Sequence, residues 1–317
     1  MSLSRTYILC PGQGAQIVGM GKELYYASPA AKAVFDEADQ LLDFKLSAIC
    51  FDGPQSRLDQ TDVSQPALYV TGVASFRAAV EAGALDAAAI TAYAGLSLGE
   101  YTALHLAGAI GFADGLRLVS RRGKFMQEAA VAQPGGMVAI IGGDEAAARK
   151  ICAEAGGGGV LVPANFNAPG QIVLSGDKAA CDRAVKAAEA AGLRAMPLAV
   201  AGAFHSPLMQ SAAQRMKEEL AKARIVAPAT PVYSNVTAQT HGDSEGKASA
   251  AESIKRLLAD QIVQPVRWDQ TMTALVGLGE ARFIELSPGR TLAGLAKRIN
   301  RRLVVEENAG FKPKVTA

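Results

Sequence analysis

Two rhythms of apolar residues alternate along the chain. Short continuous apolar runs of strand length are separated by stretches in which apolar residues recur every three or four positions. The first suit buried strands, the second helices packed on one face. Residues 6–10 (TYILC) read as a buried strand ending at Pro11 and Gly12. Segments 20–42 and 65–82 have helical spacing, with Ser28 and Pro29 as N-cap and first helical residue. Residues 89–94 (AITAYA) read as a strand, followed by a turn, a helix to about Ala109 and another over 112–130. Such alternation predicts a parallel sheet covered on both faces.

The rhythm changes at Pro134-Gly135-Gly136, which open a short strand, MVAIIG. A helix over 144–155 follows, with the glycines at 156–159 as its exit. VLVPANFNAPGQIVLSG reads as two strands around an Asn/Pro/Gly turn, 177–191 as a helix, and LRAMPLAV as a last strand. The order βαββαβ is the split arrangement of ferredoxin-like units. It predicts a small subdomain over 134–200, inserted into a large α/β domain made of 1–133 and 201–317. Later strands are expected in PVYSNV and ARFIELSP, with a polar loop near 238–250. No sequence repeat is present.

Composition narrows the classes of function. At 317 residues the chain exceeds the roughly 100–200 residues of one ordinary domain. Half of it is hydrophobic, ample for a core. A net charge of +2 carries no nucleic-acid signature. No apolar run approaches the ~20 residues of a membrane span, and the apolar stretch near the N-terminus is too short for a secretory signal. A cytoplasmic protein is expected. Cys10, Cys50, Cys152 and Cys181 are scattered without a CxxC pair, so they read as reduced structural thiols rather than metal ligands or disulfides.

One short stretch carries chemistry. In GLSLG, Ser97 stands between Gly95 and Gly99, after a strand and before a helix. A turn of this kind projects the hydroxyl from the sheet and leaves helix N-terminal N–H groups to hold an oxyanion. Small residues filling a tight corner are the competing explanation. A serine needs a base to take its proton, and the chain has three histidines. His105 follows eight residues later, too far along the same helix to reach back, and reads as a packing residue. His241, in THGDSEGK, reads as a surface residue of a solvated loop. His205, in AGAFHSPLM, remains as the candidate base. The loop PGQGAQ follows a strand, but Ile17 stands where a dinucleotide fingerprint needs its third glycine, so a turn presenting one N–H fits better. Ser287-Pro288-Gly289 reads as a strand-to-helix turn rather than a second nucleophile.

These pieces, with others, resemble the malonyl-CoA:acyl carrier protein transacylases. The resemblance rests on PGQGAQ (11–16), GLSLGEY (95–101), RRGKFMQEA (121–129), NFNAPGQ (165–171), GAFHSPLM (202–209), QIVQPVRW (261–268) and ELSPGRTLAGLAKRI (285–299), in the family's order over nearly the whole chain. It implies an α/β-hydrolase-like core with a small ferredoxin-like insert. Ser97 would be the nucleophile and His205 its base, with the backbone carbonyl of Gln261 orienting the imidazole. Gln261 is otherwise simply a helix-end residue. The N–H groups of Gln13 and Leu98 would form the oxyanion hole. Arg122, chosen over Arg121 by alignment on RGKFMQEA, would hold the malonyl carboxylate through paired hydrogen bonds. Phe204 would limit the acyl pocket, although core packing explains it equally. Asn165 and Asn167 are pocket-rim candidates that a turn in the insert explains as well. Leu96 departs from the histidine that many members carry before the serine.

The resemblance further implies transfer of malonyl from malonyl-CoA to the phosphopantetheine thiol of holo acyl carrier protein, with no metal or cofactor, no nucleic acid and no membrane. A monomer is expected. A chain without a linker to further modules is expected to serve fatty-acid synthesis. The alternatives are a serine hydrolase or thioesterase, a trans-acting polyketide acyltransferase, and a non-catalytic acyl-carrier binder. The basic run KRINRR at 297–302 is either a docking site for an acidic carrier or a solvated helix end.

Overall fold

The structure, a computed structural model, describes residues 5–242 and 247–308. Strand β1 (Thr6–Cys10) leads into α1 (Lys22–Ala27), α2 (Pro29–Leu41), α3 (Leu46–Asp52), α4 (Gln55–Leu58) and the long α5 (Thr61–Glu81). Next come β2 (Ala92–Gly95), α6 (Gly99–Leu106) and α7 (Phe112–Ala132). Then follow β3 (Gly135–Ile141), α8 (Glu145–Ala155), β4 (Leu161–Ala168), β5 (Gln171–Asp177), α9 (Lys178–Ala190) and β6 (Arg194–Pro197). The chain closes with α10 (Gln210–Lys222), β7 (Val232–Tyr233), α11 (Lys247–Asp260), α12 (Trp268–Gly277), β8 (Arg282–Glu285), α13 (Thr291–Ile299) and β9 (Val305–Glu307).

Five strands form a parallel sheet in the order β7-β2-β1-β8-β9. The central strand β1 is buried throughout. Successive side chains of a strand point to opposite faces, and here Ile8 and Cys10 enter one apolar core while Tyr7 and Leu9 enter the other. Helix α5 is enclosed along most of its length and packs with α7 in the larger core. Where the sequence suggests one helix over 20–42, Ser28 divides it: its hydroxyl accepts the Ala31 N–H at 3.0 Å, and Pro29 starts a second helix.

The second sheet is antiparallel, in the order β4-β5-β3-β6. Its chain order βαββαβ and its strand order are those of a ferredoxin-like unit. Helices α8 and α9 cover one face, and Val138, Ile151, Leu174 and Ala184 share its core. Both helices begin on aspartates: Asp144 and Asp177 each cap the first turn by accepting the N–H three residues on, from Ala147 and Ala180, at 2.8 Å.

Some expectations change. The strand expected at 89–94 begins only at Ala92, and that in PVYSNV holds only Val232 and Tyr233. The polar loop near 238–250 is shorter, because α11 starts at Lys247; residues 243–246 of that stretch lie outside the described residues. Strand β9 was not expected. The four cysteines are free thiols, and burial pushes those of Cys50 and Cys152 up to about 12.

Candidate active site

Ser97 sits on the turn between β2 and α6, with a left-handed backbone (φ 51°). That conformation strains a residue bearing a Cβ. The two glycines explain how the turn closes. A Cβ on Gly95 would lie 1.9 Å from the Gly99 carbonyl carbon, and one on Gly99 would lie 2.1 Å from the Cys10 oxygen. Asn235, just beyond β7, fastens the turn from outside. Its Oδ1 accepts the Ser97 N–H at 2.6 Å, and its Nδ2 donates to the Gly95 carbonyl at 2.6 Å. The Ser97 amide is therefore occupied. The amides of Gln13 and Leu98 have no backbone acceptor among the described residues.

His205 also has a left-handed backbone (φ 56°), on the loop before α10. Its Nε2 lies 2.8 Å from Ser97 Oγ, and its Nδ1 lies 2.7 Å from the main-chain oxygen of Gln261. A carbonyl oxygen can only accept, so Nδ1 carries the hydrogen. In the neutral ring Nε2 is then the acceptor for the serine hydroxyl. Burial, and then the positive charge of Arg122, hold the imidazole down to about 4, only partly offset by the Gln261 carbonyl. At neutral pH the ring is uncharged and free to take a proton.

Arg122 projects from α7 into the same place and is 1% exposed. Its Nη1 donates to Gln65 Oε1 at 2.7 Å. Its Nη2 donates to Gln261 Oε1 at 2.9 Å and to Ser97 Oγ at 3.1 Å. The Nε–H has no partner among the described residues. A carboxylate entering the cleft would meet Nη2, the nitrogen that faces Ser97 Oγ, and an adjacent donor of the same edge. The neighbouring Arg121 is exposed and lines a separate groove of about 750 Å³ on the other side of α7, which contains neither Ser97 nor His205.

Ser97, His205 and Arg122 lie together in a cleft of about 500 Å³ between the two sheets. Gln13, Leu96, Asn165, Asn167 and Phe204 line it too. Asn165 is on β4, where the pairing with β5 is irregular, and Phe204 is buried beside the histidine. Ser287 is elsewhere, in the turn after β8, where its N–H donates to Ser75 Oγ at 3.1 Å. The charged side chains of KRINRR are exposed at the end of α13. His105 packs against Tyr69 and Phe112, and its Nδ1 lies 2.9 Å from the Ile110 carbonyl.

His241 is not a surface residue. Its side chain is fully enclosed, with Nε2 2.8 Å from Glu100 Oε1. The polar sequence around it suggests a solvated loop, but Glu100, a buried carboxyl in α6, draws the ring inward. Nor is Gln261 only a helix end: besides its main-chain oxygen, its Nε2 donates to Glu100 Oε2 at 2.7 Å and to the Ser97 carbonyl at 2.9 Å. Gln65, Glu100 and Asn235 complete the surroundings of the site. Only Glu100 had a signal in sequence, as part of GLSLGEY, and that motif says nothing of its contacts.

A strained serine on a strand-to-helix turn, bonded to a neutral histidine over an open cleft, is the equipment of enzymes that pass acyl groups through a serine ester. The chain belongs to the acyl transferase domain family, whose pattern it matches over residues 6–308. It is 43% identical over 303 residues to the malonyl CoA-acyl carrier protein transacylase of Bacillus subtilis (strain 168), covering 95% of this chain and 92% of that protein. Among solved structures it resembles the malonyl CoA-acyl carrier protein transacylase from Coxiella burnetii, with TM-score 0.91 and 39% identity over 97% of this chain and 94% of that one. It also resembles a malonyl-transacylase solved in complex with its type II polyketide acyl carrier protein, with TM-score 0.88 and 38% identity over 96% and 95% of the two chains.

Proposed function

We propose that this protein moves a malonyl group from malonyl-CoA to the phosphopantetheine thiol of holo acyl carrier protein, by way of a malonyl ester on Ser97. The observation that carries the reading is the chain of contacts from Ser97 Oγ to His205 Nε2 at 2.8 Å and from His205 Nδ1 to the Gln261 carbonyl at 2.7 Å, with Arg122 beside the hydroxyl. Neutral His205 takes the hydroxyl proton as Oγ attacks the thioester carbon. The N–H groups of Gln13 and Leu98 hold the oxyanion. As the C–S bond breaks, His205 returns the proton to the CoA sulfur. The carrier thiol then gives its proton to His205 and attacks the ester, and as the C–Oγ bond breaks His205 returns that proton to Ser97 Oγ. Neither half uses a metal or cofactor.

Arg122 selects the substrate in this scheme. Its guanidinium, through Nη2 beside Ser97 and an adjacent donor, would take the malonyl carboxylate and hold the reacting carbonyl over Ser97. Phe204 and Asn165 would shape the acyl end of the cleft. The malonyl transacylase relatives support the substrate and the partner. Fatty-acid synthesis, cytoplasmic location and a monomeric state belong to the same proposal, with the polyketide setting as its alternative.

Intact mass after mixing with malonyl-CoA tests it. A single malonyl adduct that is absent from Ser97→Ala, and that moves to holo carrier protein, is expected. Rapid release of free malonate without transfer would make the protein a hydrolase, and neither adduct nor turnover would make it a binder. Comparing a fatty-acid carrier with a polyketide carrier as acceptor decides the setting.

A further inference from the structure

Glu100 lies in the first turn of α6, three residues past the serine, and its side chain is fully enclosed. A carboxylate this deep must have its lone pairs met. Oε2 accepts the Asn235 N–H at 3.0 Å and the Gln261 Nε2–H at 2.7 Å. Oε1 faces His241 Nε2 at 2.8 Å. The Nδ1 of His241 has no partner among the described residues, so the contact with Glu100 is the polar tie that holds this buried ring.

None of these groups touches the reacting atoms, but Gln261 does join them. Its main-chain oxygen accepts from His205 Nδ1–H, and its side-chain oxygen accepts from Arg122 Nη2–H. A primary amide can turn over about its last bond. Turned over, Gln261 would set its NH2 against the guanidinium of Arg122, donor facing donor, and its oxygen against a carboxylate. An ionised carboxylate only accepts. Glu100, together with the Ser97 carbonyl that accepts from the same nitrogen at 2.9 Å, therefore admits one orientation: nitrogen toward Glu100, oxygen toward Arg122. The same placement sets a negative charge behind the buried guanidinium without a direct ion pair, which a substrate carboxylate would have to displace.

We propose that Glu100, backed by His241, is a positioning residue: it locks the side-chain amide of Gln261 and so ties the seat of the substrate-gripping Arg122 to the seat of the base His205. This rests on the acyl-transfer reading given above. Glu100→Ala removes the acceptor, Glu100→Asp withdraws it by one methylene, and Glu100→Gln keeps an oxygen able to face Gln261 and Asn235.

Rates are measured per acylatable serine, counted by intact mass at saturating malonyl-CoA, with malonyl-CoA and acetyl-CoA as separate donors. Glu100→Ala and Glu100→Asp are expected to lower malonyl transfer about 10- to 100-fold per site and to reduce the malonyl-to-acetyl ratio. Glu100→Gln is expected to recover most of both, and His241→Ala to lose less than Glu100→Ala. A purely structural role would lower the melting temperature but leave per-site rate and donor ratio unchanged. If Glu100→Ala does not fold, Glu100→Asp carries the same prediction. Wild-type per-site rate and ratio in the folded variants would overturn the inference while leaving acyl transfer standing. A wild-type protein that forms no malonyl-serine would instead remove the reading on which it rests.

Discussion

Replacing Arg122 with alanine separates recognition of the malonyl carboxylate from the chemistry at Ser97. In the resting site the guanidinium donates to Gln65, Gln261 and Ser97. A malonyl carboxylate that takes over Nη2, the nitrogen facing Ser97 Oγ, together with an adjacent donor of the same guanidinium edge gains two charge-assisted hydrogen bonds, each about 1.5–3 kcal/mol. Their loss, about 3–6 kcal/mol, corresponds to a fall of roughly 10²- to 10⁴-fold in malonyl transfer. An acetyl donor has no carboxylate, and the variant withholds from it only the 3.1 Å contact to the serine oxygen. Acetyl transfer is expected to fall by no more than about tenfold, the worth of one such bond. The substitution also strips donors from Gln65 and Gln261, so stability must be followed separately. The assay is the initial rate of Ser97 acylation by each donor, divided by the folded fraction from a melting curve. An equal loss for malonyl and acetyl donors would refute the proposed grip and leave Arg122 as a structural residue.

The pH dependence follows from His205, held near 4 against an ordinary 6.5. Acylation is expected to keep its neutral-pH rate down to about pH 5 and to halve near pH 4, read by pH-jump kinetics; an acid limb at 6.5 would contradict this. Because the folded protein binds fewer protons than the unfolded chain between these values, stability falls as pH drops through that window. The loss is roughly 3 kcal/mol, visible in urea midpoints as a slope that His205→Gln removes. Gly99→Ala drives a methyl toward the Cys10 carbonyl, 2.1 Å away, and is expected to destabilise by more than ~2 kcal/mol and to abolish Ser97 labelling; a wild-type melting temperature would refute the close approach. Phe204→Ala should raise use of methylmalonyl-CoA relative to malonyl-CoA if the ring bounds the pocket; an unchanged ratio with a lower melting temperature would make it a packing residue.

What sequence could reveal tracked the physical origin of each feature. β1 and β2 are continuous apolar runs because both faces of their sheet are covered, and such runs are legible. β9 is not, since Val305 is followed by two glutamates at the edge of the sheet, where main-chain pairing to one neighbour suffices. PVYSNV looks longer as a strand than it is because Asn235 leaves the sheet to fasten the serine turn. His205 could be reached by elimination among three histidines. His241 could not be placed, because its partner Glu100 lies 141 residues away and the stretch around the histidine, THGDSEGK, is polar. The main-chain contact of Gln261 leaves no trace in residue type at all; only family resemblance pointed to it.

The small sheet leaves the large domain and returns to it at neighbouring points, and its strand β4 is also paired to Val266 of the large domain. A methyl group on Gly202 would lie 2.4 Å from Ala130 Cβ, so the segment that departs after α7 comes back beside its own point of departure. The hydrogen bonds that link Ser97 with His205 and Gln261, and Gln261 with Glu100, all belong to residues outside that excursion, whereas Met137, Asn165, Asn167, Gln171 and Val173 within it furnish one wall of the cleft. Diversification of that wall, even its exchange for a homologous unit, can therefore alter which acyl groups are welcomed without rewiring the proton path.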